Sequence, residues 1–157
     1  MKGLFTFLNI FVFALAAYSA ELSDLQFGEI DWGEPYGIRY GVTGCNPKAS
    51  GELSIPAEHD GRTVTLIEDN AFEDCTNLTA ITLMEGIEEI GFDSFSGCIS
   101  LEGIHLPESL IRIWSRAFMD CRSLNHVTLP THLLLDEQAA WQSENIFANC
   151  TNLTHIV

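Results

Sequence analysis

Basic residues are scarce in this chain. Seven Lys and Arg stand against 22 Asp and Glu, a formal net charge of −15 over 157 residues. That balance repels nucleic-acid phosphates and anionic membrane surfaces, so neither is expected as a partner. Basic or neutral proteins and cations remain open to it, and the acidity also keeps an exported chain soluble. Long apolar runs are scarce too. One lies at the start, in "MKGLFTFLNIFVFALAAYSA", where Lys2 precedes about 14 apolar residues from Leu4 to Ala17. The run is shorter than the ~20 residues that span a bilayer and is followed by small residues, so residues 1–20 are expected to be a removed secretory signal. Cleavage after Ser19 places Ala17 and Ser19 at the small-residue positions, and no cysteine stands there to carry a lipid. No membrane insertion is expected after cleavage.

Catalytic and ligand motifs are missing as well. The chain has no G-x-S-x-G, no H-E-x-x-H and no phosphate-binding glycine loop, so no enzyme and no cofactor are expected. It has no C-x-x-C pair for zinc and no D-x-D-x-D-G loop for calcium. The acidic words "EDNAFEDC" and "EGIEEIGFD" therefore read as a solvated edge. Hydrophobic residues make up 46% of the chain, enough to build a core.

A repeat is what the chain does have. "AFEDCTNLTAITL" from Ala71 returns as "SFSGCISLEGIHL" from Ser94, "AFMDCRSLNHVTL" from Ala117 and "IFANCTNLTHIV" from Ile146. One frame aligns Phe72, Phe95, Phe118 and Phe147, then Cys75, Cys98, Cys121 and Cys150, then Leu78, Leu101, Leu124 and Leu153, then Ile81, Ile104, Val127 and Ile156. The first steps are 23 residues and the last is 29. A fixed period of this size marks a solenoid, in which each coil buries its neighbour's apolar face. The expected fold is mainly β, with parallel strands in L-x-x-I-x-L pointing Ile81 and Leu83 inward and Thr82 outward. The phenylalanines fill the opposite side of each coil. Ile67, Ile90 and Ile113 open the copies, so the repeats run over 67–157, with an insertion at 136–144. Trp141 in that insertion is read as a plug folded on the core.

Residues 21–66 differ. "GEPYGIRYGVTG" alternates Ile38, Tyr40 and Val42, and "GELSIPAEHDGRTVTLI" offers strands through Leu53 and Ile55 and through Val64 and Leu66. This segment is expected to be an N-terminal β cap on the first coil. The sequence reaches Val157 within a strand, so its last coil is expected to present an edge open to a second chain.

The words quoted above, with the lead-in "YGIRYGVTG…SIPAEHDGRTVTLIEDNAF", resemble the BspA-type leucine-rich repeat family over about Tyr36 to Val157. The resemblance implies a curved extracellular solenoid acting in adhesion or protein binding, secreted or at a cell surface, and no catalysis. The short array and the insertion in its last copy depart from that pattern.

Four of the five cysteines share one repeat position and should form a ladder. Parallel neighbours stack ~4.8 Å apart, whereas a disulfide brings Cβ atoms to about 3.8 Å. Buried thiols are therefore expected, with a disulfide as the alternative. Cys45 lies outside the ladder and is the candidate for reactivity. "NLT" at Asn77 and Asn152 is a glycosylation acceptor or turn chemistry before the strand.

The candidate binding face is the outward side of the strands: Ala80, Thr82, Gly103, His105, His126, Thr128 and His155. Its histidines read as ordinary surface residues, with metal binding or a pH response as the alternative. Small, polar and imidazole side chains on a sheet suit a protein or glycan ligand better than a buried small molecule. The rival expectation is a structural protein that self-associates through its C-terminal edge into a homo-oligomer.

Overall fold

A computed structural model describes residues 19–31, 33, 37–133 and 145–157. The expected signal at 1–18, Trp141 and the insertion at 136–144 lie outside the described residues. No described helix is long and apolar enough to cross a membrane. The chain is a β solenoid whose coils contribute short strands to two sheets.

The first sheet joins β1 (Leu25–Asp31), β2 (Ile38–Cys45), β6 (Leu66–Ile67), β8 (Glu89–Ile90) and β10 (Arg112–Ile113), in that order. Ile67, Ile90 and Ile113, which open the sequence repeats, are in parallel register here. The second sheet runs β12 (His155–Ile156), β11 (His126–Val127), β9 (Gly103–His105), β7 (Leu78–Leu83) and β3 (Gly51–Ile55). All of its pairings are parallel. A two-stranded hairpin of β4 (Glu58–His59) and β5 (Arg62–Thr63) packs beside β2.

The segment expected as a cap over 21–66 divides in two. β1 and β2 form an antiparallel pair at one end of the first sheet. β3 instead pairs in parallel with β7, so its Leu53 and Ile55 stand beside Ile81 and Leu83 as one more rung of the solenoid. Val64 is fully buried but lies outside any strand, and the strand expected through it begins at Leu66. Gly41 lets β2 settle on β6, because a Cβ there would overlap the Leu66 carbonyl oxygen.

Between the two strands of a coil the chain turns through the Phe-x-x-Cys segment. Phe72, Phe95 and Phe118 are fully buried. Their rings, with Phe147, stack along the solenoid at 4.8, 5.2 and 5.4 Å between centroids. Each turn uses two left-handed residues at repeat positions, one set being Asn70, Asp93, Arg116 and Asn145, the other Asp74, Gly97, Asp120 and Asn149. Asn, Asp and Gly tolerate positive φ, whereas Arg116 at φ 58° carries strain. Its guanidinium grips Asp93 in the preceding coil through two hydrogen bonds, which offsets that strain.

The cysteine ladder forms without disulfides; all five cysteines are free. The Cys98, Cys121 and Cys150 thiols donate to the carbonyls of Phe72, Phe95 and Phe118, at 3.2, 3.1 and 3.0 Å. In the other direction the N–H groups of Phe72, Phe95 and Phe118 donate to Ser94, Ala117 and Ile146 of the following coil. Each phenylalanine backbone is thus bonded twice to the next coil, which leaves neither polar group unpaired in the core. Burial raises the Cys98 thiol well above the ordinary thiol range. Cys45, the candidate for reactivity, is half-buried, and its thiol is also raised, first by a hydrogen bond with Cys75 and then by burial.

Candidate functional site

Period two along each strand puts alternate residues on the outer side of the second sheet. In-register pairing then lines them into rows. One row runs Glu52, Ala80, Gly103, His126, His155 across β3, β7, β9, β11 and β12. The next runs Ser54, Thr82, His105, and Thr128 follows two residues after His126. The structure therefore brings all seven sequence-nominated residues to one face. Ala80, Thr82 and Gly103 are half-buried, and His105, His126, Thr128 and His155 are exposed.

Six of the seven line a depression of about 260 Å³ across β7, β9 and β11, namely Ala80, Thr82, Gly103, His105, His126 and Thr128. Its floor is low because Ala80 and Gly103 carry almost no side chain. A Cβ built on Gly103 meets nothing within 4 Å, so the space above it is open. His155 stands one strand further on, beside His126.

Two residues of the face escaped the sequence reading. Glu52 and Ser54 are exposed on β3 and extend both rows by one strand. β3 lacks the Phe-x-x-Cys turn that flags the other coils, but "LSIP" at 53–56 copies the I-x-L-P signature of "IHLP" at 104–107. That was the available signal.

Polar groups on the face are held from the side. His126 Nδ1 lies 2.6 Å from Asn125 Oδ1, and His155 Nδ1 lies 2.9 Å from Thr154 Oγ1. Thr154 is itself anchored, donating through both N–H and hydroxyl to the Asn125 carbonyl at 3.0 and 3.2 Å. Among the described residues no group of three or more His, Cys, Asp or Glu is placed to hold a metal ion.

The first sheet's outer side is built differently. Glu89, 7% exposed, accepts from Arg39 at 2.6 Å, Trp114 at 3.2 Å and Arg112 at 3.4 Å. Arg39 also pairs with Glu88 at 2.5 Å. These charges are matched to one another across three strands.

The repeat, the two parallel ladders and the Phe-Cys turn coincide with a known pattern. Residues 65–157 match the BspA type leucine rich repeat region in six copies. The chain belongs to this BspA-type family. Solved structures agree on the fold. A leucine-rich repeat protein from Bacteroides capillosus superposes with a TM-score of 0.65 at 24% identity, over 89% of this chain and 99% of that one. A T. pallidum leucine rich repeat protein gives 0.61 at 21%, over 88% and 81%. A leucine rich cell surface protein from Faecalibacterium prausnitzii gives 0.61 at 22%, over 90% of this chain but 39% of its own length. No curated protein matches the chain in sequence.

Proposed function

We propose that this BspA-type chain is a non-catalytic, extracellular binding module that docks a protein partner on the outer face of its second sheet. The open depression over Ala80 and Gly103 carries the reading. A floor of small residues walled by Thr82, His105, His126 and Thr128 admits a protruding side chain and offers hydrogen-bonding groups around it. The ring nitrogens of His126 and His155 engage Asn125 and Thr154 rather than a carboxylate, which favours a contact surface over a general base held in a triad. Export is supported by the apolar N-terminal run and by the likeness to a cell surface protein. Adhesion is the role this reading assigns.

The test is substitution of Gly103→Phe, which adds a ring over the floor of the depression, at a position where a Cβ meets nothing within 4 Å. The probe is a panel of purified extracellular proteins and glycans presented to the immobilised chain. A partner that binds the natural chain and is weakened at least tenfold by Gly103→Phe, but not by Ile38→Asp on β2, supports the face. Binding indifferent to Gly103→Phe, or none across the panel, overturns it. A solution mass that rises with concentration and is insensitive to Gly103→Phe assigns association to the β12 edge instead, where Ile156 and Val157 are exposed.

A further inference from the structure

His126 and His155 face each other across parallel strands in register, which sets their Cα atoms about 4.8 Å apart with side chains on the same side. Each ring is oriented by the residue before it. The Thr154 hydroxyl proton is committed to the Asn125 carbonyl. Its oxygen can therefore only accept from His155 Nδ1, so the proton of the neutral ring sits on Nδ1. At His126, Nδ1–H donates to Asn125 Oδ1 in the same way. Each ring then keeps its lone pair on Nε2, and both residues are exposed. A metal-binding histidine has this organisation: one nitrogen fixed by an oxygen acceptor, the other free for the ion. Asn125 serves both halves, its side chain holding His126 and its carbonyl holding Thr154, so the two rings are tied into one unit.

From this we propose that His126 and His155 form a two-histidine site for a divalent transition metal of the nickel, copper or zinc class, which favours imidazole nitrogen. The net charge of −15 raises the local concentration of cations around the chain. With two protein ligands, the remaining coordination positions are left to water or to a group from a bound partner. The inference stands on the histidine pair and holds whether or not the face docks a protein.

The experiment is titration of the untagged chain with Ni²⁺ and, separately, Zn²⁺, by calorimetry and by NMR of the five imidazoles. One ion per chain is expected, with the His126 and His155 resonances shifted or broadened first. His126→Gln and His155→Gln should each weaken binding at least tenfold. Thr154→Val, which removes the acceptor for His155 Nδ1 while keeping the side-chain shape, should weaken it severalfold. His132→Gln should leave it within twofold. Circular dichroism establishes that each variant is folded, and the imidazole signals of the natural chain give a direct answer independent of any variant. Absence of binding, shifts led by other histidines, or affinity that survives both His126→Gln and His155→Gln would each overturn the site.

Discussion

On the first sheet, Glu89 accepts from Arg39, Arg112 and Trp114, and the outer polar groups answer one another. On the second, Ala80 and Gly103 leave a gap between Glu52 and His126, and the polar groups point into it. Both sheets rest on one phenylalanine-filled core and share one coil geometry. The difference lies wholly in residues that the repeat does not constrain. A side of the coil whose charges are already matched has little to offer a ligand, since each would have to break an existing bond first. The side with small residues and oriented imidazoles has its capacity free.

The largest expected effect erases the comparison by removing what both sheets share. Phe95→Ala opens a cavity between two stacked rings and should cost about 3–5 kcal/mol, read by urea denaturation. Glu89→Ala should damage the first sheet selectively. It strips Arg39 and Arg112 of their shared acceptor, and because both retain some exposure the loss should be about 2–3 kcal/mol. Hydrogen exchange should show the weakening at β2, β8 and β10 before β7, β9 and β11.

Acid sharpens the contrast at a junction between coils. The Glu108 and Ser109 backbone N–H groups donate to Glu85 and hold its carboxyl below its ordinary value near 4.5. A carboxyl lowered in the folded state stabilises above that value, and the contribution disappears as pH falls beneath it. Glu85→Gln should therefore lower Tm at neutral pH and flatten its fall below pH 4.5, where the variant and the natural chain converge. Smallest of all, Gly103→Phe should shift stability by no more than about 0.5 kcal/mol, because the change is made on the outer face of the sheet, where a Cβ meets nothing within 4 Å. A large loss there would mean the depression is part of the core rather than a face.

Much of this was legible in the sequence for a physical reason. Core positions recur because each coil must bury its neighbour, so Phe72, Cys75, Leu78 and Ile81 announce one another 23 residues later. The outward rows followed, since alternation along a strand fixes which residues are outward, and Ala80, Gly103 and His126 fell into line. The first ladder was harder to see as a strand. Its members are two residues long, and beyond Ile67, Ile90 and Ile113 no pattern marks them. β3 was misplaced because it reaches the ladder from an antiparallel cap, without the aromatic turn. The left-handed turn positions were half visible: Asn70, Asp93 and Asn145 fit the preference, and Arg116 conceals it.

The bonds at each phenylalanine have a directional sense. Its N–H reaches forward to the next coil, and its carbonyl receives that coil's thiol. The three joints from Phe72 to Phe147 are chemically the same joint, so adding or deleting one 23-residue unit among them creates no new kind of interface. Array length is thereby uncoupled from the strength of any one joint. The outer face can be lengthened or shortened by whole rungs, and Ala80, Gly103 or His126 exchanged within a rung, without altering the core beneath it.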